Sequence, residues 1–231
     1  PMNTLESFSL KGKVVILTGG AGRYGRGLTN QLAEAGASAV IASRNTQALE
    51  KVAAAETALG HEVILELLDQ GDEASIFHLR DRVMKRFGRI DGLVNNAVDL
   101  TMKAPDDPVS AWIQSMRVNA TGMFVLSRMA AEVMSAHGGG SIVNVSSIFG
   151  VVGPNLSNYE GTNMKKAPDY FFHKAGMVNL TRYFASIYGG AGVRVNCVSP
   201  GARLDDQMHP EFIKRYNKAN MLGRMAGDRD L

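Results

Sequence analysis

A chain of 231 residues, 45% apolar and 20% charged, is long enough for one large domain and has the balance of an ordinary globular protein, not a disordered or fibrous one. Its formal charge of +3 is small and comes without a Lys/Arg run, which points away from nucleic acid but suits an anionic cofactor or substrate. The single cysteine excludes an intrachain disulfide, and no apolar run approaches the roughly 20 residues of a bilayer span.

Short β-branched runs alternate with longer helical stretches. Val14–Leu17 is a buried parallel strand ending in a glycine cluster, and Gly25–Ala35 a helix stopped by Gly36. A strand at Ala39–Ala42, a helix over about Thr46–Leu59 ended by Gly60, and a strand at Val63–Leu68 follow. Asp72–Phe87 is an amphipathic helix ended by Gly88, and Gly92–Asn95 a fourth strand. After a polar loop around Pro105–Pro108 comes a long helix, about Ala111–Ala136, broken by Gly138–Gly140. Ser141–Val145 is a fifth strand, Tyr170–Tyr188 a second long helix and Val193–Val198 a sixth strand. The lone Cys197 in that last run is expected to be a buried structural thiol. The alternation implies an α/β fold: one doubly wound parallel sheet with helices on both faces, a single domain over 1–231.

Directly after the first strand stands Thr18-Gly19-Gly20-Ala21-Gly22-Arg23-Tyr24-Gly25. Glycines there let the backbone turn sharply against a pyrophosphate seated at the N-terminus of the next helix. Leu68-Asp69 follows the third strand, Asn95-Asn96-Ala97 the fourth, and Ser146-Ser147 the fifth. Asn119 lies in Val118-Asn119-Ala120-Thr121-Gly122, Tyr170-Phe171-Phe172-His173-Lys174 opens the second long helix, and Pro200-Gly201 follows the sixth strand. In this order, and over essentially the whole length, the chain resembles the short-chain dehydrogenases/reductases, whose fold is a Rossmann domain. It departs from the family's Thr-Gly-x-x-x-Gly-x-Gly turn in placing Arg23 where the middle glycine stands, with Gly22 expected to supply the flexibility, and in having Val98 after Asn-Asn-Ala. The resemblance implies that Gly19, Gly22, Arg23, Tyr24, Gly25, Asp69, Asn95, Ala97, Lys174, Pro200 and Gly201 contact a nicotinamide cofactor. It also implies a homodimer or homotetramer built on the two long helices. The segment from Leu222 to Leu231 resembles the lead-in to the family's last helix and seventh strand, neither of which is present, so further C-terminal residues are expected.

The second strand ends in Ser43-Arg44, where an acidic residue would bind the adenosine ribose and repel a 2′-phosphate. A hydroxyl followed by a guanidinium suits a phosphate monoester, and Arg23 adds a second cation, so NADP(H) is expected over NAD(H).

Tyr170 and Lys174, at i and i+4, share a helix face. A phenol with an ordinary pKa near 10 is a poor acid/base at neutral pH, and a neighbouring ammonium favours the phenolate. The resemblance implies that Tyr170 is the acid/base, that Ser147 orients the substrate oxygen, and that Asn119 holds a water in a proton relay from Lys174. The family places its serine about a dozen residues before its tyrosine, and Ser147 to Tyr170 is nearly twice that. Tyr159 lies at the usual distance but has Asn163, not a lysine, four residues on; Tyr170 is therefore the acid/base.

The extra residues, about 154–169, must border the substrate. Tyr159 and Glu160 within them are candidate substrate contacts, and their hydroxyl, carboxylate and amide groups suit a polyhydroxylated ligand. The stretch Tyr159-Glu160-Gly161-Thr162 with Met164 resembles a bacterial subgroup linked to surface-polysaccharide and flagellin glycan modification, implying a sugar or nucleotide-sugar substrate. The histidines show no ligand spacing, so no catalytic metal is expected, and His173 points off the Tyr–Lys face. Without a signal-peptide pattern the cytoplasm is the expected location. The competing readings are a nucleotide-sensing regulator without chemistry and an epimerase or dehydratase of the extended family; the intact Asn119, Ser147, Tyr170, Lys174 set argues against the first, and the short chain against the second.

Overall fold

The computed structural model of the chain describes residues 3–164, 167–227 and 230–231. Six strands form one parallel sheet: β1 (Val14–Thr18), β2 (Ser38–Ser43), β3 (Val63–Leu67), β4 (Gly92–Asn95), β5 (Gly140–Val145) and β6 (Val193–Val198). Their spatial order is β3-β2-β1-β4-β5-β6, the doubly wound Rossmann arrangement. The registers Leu17↔Ile41 and Leu17↔Val94 place β1 between the two halves, so the crevice beyond its carboxyl end is where the strand order reverses.

Alternation along β1 builds two apolar layers. Val14 and Ile16 face a core completed by Leu79 and Val83 of α3 (Glu73–Phe87), Leu126 and Met129 of α5 (Met123–Ala136) and Phe184 of α6 (Pro168–Tyr188). Leu17 faces the opposite layer, with Leu28 and Leu32 of α1 (Gly25–Glu34) and Leu49 and Ala53 of α2 (Thr46–Ala58). Each fully buried aliphatic side chain contributes about 1.5–3 kcal/mol relative to exposure.

The helix ends follow the local chemistry. Asn45 and Asp72 accept backbone N–H bonds as N-caps of α2 and α3, and Gly88 closes α3 in the left-handed region at φ 71°. The long helix predicted near 111–136 is two: α4 (Val109–Met116) and α5, joined by a wider π-helical turn over Arg117–Gly122. Such a turn inserts one residue into the helical ladder and re-aims the side chains around it, here Asn119.

Three features differ from the reading of the sequence. Cys197 is half-buried, because β6 is the outer strand and alternates buried with exposed positions. A helix unforeseen in the sequence, α7 (Pro210–Ala219), begins at Pro210 behind a His209 cap and buries Phe212 and Tyr216 one turn apart. Those two rings close over the 154–169 insertion: Tyr159 packs edge-on against Phe212 at 5.1 Å, and Met164 and Met225 complete the cluster. Lys165 and Lys166 of that insertion lie outside the described residues. Thirdly, Gly22 does not supply a special backbone conformation. In the loop only Gly19 has a positive φ, and no non-glycine residue among those described does.

The π-helical turn is seated by close approach. A Cβ on Gly122 would lie 1.9 Å from the Gln70 carbonyl oxygen. Gly122→Ala is therefore expected to lower stability by about 3 kcal/mol, read from the denaturation midpoint; an unchanged midpoint would mean that this turn is not held against the β3–α3 loop.

Candidate active site

The crevice at the strand-order reversal is a cleft of about 870 Å³. Its floor is the turn after β1. Gly19 takes φ 69°, and a Cβ there would come within 3.0 Å of the Ala97 Cα. Both facts require glycine. Thr18 fixes the neighbouring strand end: its Oγ1 accepts from the Asn96 and Ala97 N–H groups, each at 3.0 Å. Asn96 returns the tie, its Nδ2 donating to the carbonyls of Thr18 at 3.0 Å and Gly19 at 3.2 Å.

Of the residues expected to meet a cofactor, Gly19, Gly22, Arg23 and Tyr24 line the cleft from the loop, and Ser43 and Arg44 from the end of β2. Ala97, Lys174, Pro200 and Gly201 line it from the opposite half. Three do not. Gly25 sits beneath the loop as the first residue of α1. Asn95 is buried behind the cleft and donates to Asn144 at 2.8 Å and Ser127 at 2.9 Å. Asp69 closes its own turn by accepting from Gly71 N–H, while its neighbours Leu68 and Gln70 reach the cleft. Asn96 was missed, although its doublet with Asn95 was the available signal.

No side chain caps the N-terminus of α1, so its first-turn N–H groups face the loop without a protein side-chain acceptor. A positive φ at the loop's first glycine, a helix start without a side-chain cap and two arginines along one cleft fit a dinucleotide. Both arginines already have carboxylate partners: Arg23 pairs with Asp205 at 2.9 Å and Arg44 with Asp99 at 3.4 Å. Tyr24 adds a second tie from the glycine loop to the segment after β6, donating to the Gly201 carbonyl at 3.1 Å. Burial pushes its phenol up to about 12.

At the inner end lie Ser147, Tyr170 and Lys174. Ser147 ends the β5 segment as the cap of a short 3₁₀ turn, its Oγ accepting from Phe149 N–H at 3.2 Å. Lys174 is 3% exposed, and its Nζ donates to the Val145 carbonyl at 2.6 Å. Burial lowers its pKa to about 8, a drop that the nearby Cys197 sulfur partly offsets. The Nζ lies 5.7 Å from the Tyr170 ring centre. Burial pushes the Tyr170 phenol above its ordinary pKa of 10, while hydrogen bonding with Ser147 and the charge of Arg23 pull it down. The largest influence on the phenol is thus burial, opposite in sign to the ammonium effect expected from the spacing.

Asn119 does not line the cleft. It is 2% exposed behind it, accepting from Asp99 N–H and donating to Asp99 C=O, both at 2.8 Å. Tyr159 lines the cleft, with its phenol pushed up to about 12 by burial. Glu160 is exposed and lines neither of these two cavities, and its backbone carbonyl accepts from Arg215. Beyond Tyr159 a second cavity of about 560 Å³ opens between the insertion and α7, walled by Phe149, Tyr159, Phe212 and Tyr216. Tyr216, unforeseen in the sequence, shares both cavities, and its hydroxyl accepts from Ala202 N–H at 2.8 Å.

His173 stacks edge-on to Tyr170 at 5.3 Å between ring centres, buried, with neither ring nitrogen hydrogen-bonded among the described residues. Burial, with the Lys174 charge, pushes its pKa down from 6.5 to about 3, so it stays neutral through the physiological range. The unfolded chain then binds a proton that the folded one refuses, and stability falls as pH drops below about 6.5. Wild type is expected to lose about 3 kcal/mol more than His173→Leu between about pH 6.5 and about pH 4; parallel denaturation curves for the two would contradict this.

The short chain dehydrogenase family matches residues 13–215. A cis-4-hydroxycyclohexanecarboxylate dehydrogenase of Sinomonas cyclohexanicum is 38% identical over 192 residues, covering 82% of this chain and 72% of the relative. Among solved structures, a short-chain type dehydrogenase/reductase from Mycobacterium marinum superposes with a TM-score of 0.88 at 28% identity, covering 100% of this chain and 88% of the other. A gluconate 5-dehydrogenase from Burkholderia cenocepacia J2315, in complex with NADP and tartrate, superposes with a TM-score of 0.86 at 26% identity, covering 97% and 86%. With its sheet order, glycine turn and Ser–Tyr–Lys cluster in place, the chain belongs to the short-chain dehydrogenase/reductase family of oxidoreductases.

Proposed function

We propose that the protein interconverts a secondary alcohol and its ketone on a compact, ring-shaped substrate, with NADP(H) preferred over NAD(H). The observation that carries this is the aromatic wall formed by Phe149, Tyr159, Phe212 and Tyr216 beside the Ser147–Tyr170–Lys174 cluster. A flat or cyclic apolar body buries well against such rings. The Sinomonas relative, named for a hydroxycyclohexane carboxylate, supports the same class.

A bound nicotinamide supplies or takes the hydride. In reduction Tyr170 donates its phenolic proton to the substrate oxygen, and in oxidation it accepts that proton back. Ser147 donates a hydrogen bond to the same oxygen and so orients it. Lys174, as the ammonium, favours the phenolate, and a water held at Asn119, behind the cleft, would return the proton from solvent. Gly19 and the start of α1 would hold the pyrophosphate, and Ser43 with Arg44 a 2′-phosphate. Arg44 then exchanges Asp99 for the phosphate, an inexpensive step for an exposed ion pair.

A sugar-like substrate is the second reading, favoured by Asn155, Asn158 and Asn163 around the two cavities and by the gluconate 5-dehydrogenase likeness. Surface-glycan chemistry would require that reading. The exposed apolar side chains of α4 and α6, Val109, Ile113, Phe172, Tyr183 and Ile187, support a homodimer or homotetramer.

The test follows reduced-nicotinamide absorbance with cis-4-hydroxycyclohexanecarboxylate and with gluconate. Turnover of the cyclohexanol alone supports the first reading, and of gluconate alone the second. Tyr170→Phe should lower kcat by about a thousandfold with cofactor binding intact; cofactor binding with no turnover of either alcohol, and no effect of Tyr170→Phe, would favour a sensor. Arg44→Ala should weaken NADPH about tenfold more than NADH, and an unchanged ratio removes Arg44 from cofactor choice.

A further inference from the structure

We propose that Ser115 and Asp169 are positioning residues, which together hold the tyrosine end of α6 against the turn that carries Asn119. The proposal rests on the roles given above to Tyr170 and Asn119.

Ser115 is on α4, one turn before Asn119, and Asp169 immediately precedes Tyr170 on α6. Ser115 is fully buried and Asp169 is 1% exposed. The Ser115 Oγ donates to Asp169 Oδ2 and accepts from Asn119 Nδ2 at 3.0 Å. Asp169 Oδ1 has no hydrogen-bond partner among the described residues.

The direction of these bonds is dictated by chemistry. The Asn119 NH2 can only donate, so the Ser115 oxygen accepts from it and the single Ser115 hydroxyl hydrogen is given to Asp169. The same orientation of the Asn119 amide leaves its Oδ1 for the Asp99 N–H. The carboxylate thereby polarises a chain from the catalytic helix through the π-helical turn to the end of β4. A side chain needed only to cap α6 would do so from the surface, where the helix dipole is worth a few tenths to about 1 kcal/mol. Burying a carboxylate with one oxygen unsatisfied costs more than that. The cost is accounted for if the bond fixes Tyr170 relative to Asn119.

Ser115→Ala alone leaves a carboxylate buried with neither oxygen bonded and can fail to fold, so the test also uses Asp169→Asn and the double variant Ser115→Ala/Asp169→Ala. Each cofactor-free chain is labelled with 3-fluorotyrosine, the Tyr170 resonance being the one missing from Tyr170→Phe. In the double variant that resonance is expected to shift or broaden while those of Tyr183 and Tyr188 stay. On cis-4-hydroxycyclohexanecarboxylate kcat should fall about tenfold with the NADPH dissociation constant within twofold of wild type. Asp169→Asn, which keeps an acceptor but loses the fixed polarity, should fall between. A Tyr170 resonance that does not move in a folded double variant overturns the proposal, as does a moved resonance with full kcat. If wild type does not turn over the probe, the substrate reading fails, and the fluorine spectrum alone still decides for or against the positioning role.

Discussion

Two hydrogen bonds fasten α6 to the end of β5, and the placing of the Ser147–Tyr170–Lys174 cluster depends on them. Ser146 Oγ donates to the Lys174 carbonyl at 2.9 Å, and Lys174 Nζ donates to the Val145 carbonyl at 2.6 Å. A helix crossing a sheet by apolar packing alone can slide by fractions of an ångström. Here the backbone and the side chain of one lysine are both pinned to consecutive strand residues. Tyr170, one turn earlier, inherits that position. The lysine cannot leave, because withdrawing Nζ would strand a buried ammonium or a buried carbonyl.

The cofactor half of the cleft is held by charge rather than by packing. The Arg23–Asp205 pair and the Tyr24–Gly201 bond join the glycine loop to the segment after β6, while Arg44–Asp99 joins the end of β2 to the end of β4. Both arginine side chains are more than half exposed, so each pair is worth at most about 1 kcal/mol and is easily exchanged. Weakness is the useful property. A cleft closed by strong buried pairs would oppose the anion that its glycine turn is shaped to receive.

The strands and the site cluster were legible because short-range rules govern them. β4 and β6 ended where the apolar runs ended, and Ser147 and Tyr170 converged because one follows the end of β5 and the other stands in the first turn of α6, with Lys174 one turn further along the same helix. What failed to read out depends on partners distant in sequence. α7 carries a helix start at Pro210 and two aromatic residues one turn apart, yet its reason for existing is the insertion that it covers. The insertion in turn reads as polar by composition, but its tyrosine is buried among rings that the composition does not foretell. Glu160 went astray for the same reason: a loop's composition does not say which of its side chains turn inward.

The stated rationale for a Tyr–Lys pair, that the ammonium lowers the phenol, is only half of the electrostatics in this protein. Burial acts on both groups and in opposite senses, raising Tyr170 and lowering Lys174 to about 8. The positive charge that offsets the burial of the Tyr170 phenol is that of Arg23, beside the hydrogen bond with Ser147. Arg23 stands where relatives have a glycine, and its negative φ lets a side chain fit there without strain. The departure from the glycine motif thus supplies a positive charge that pulls the Tyr170 phenol down against the effect of burial.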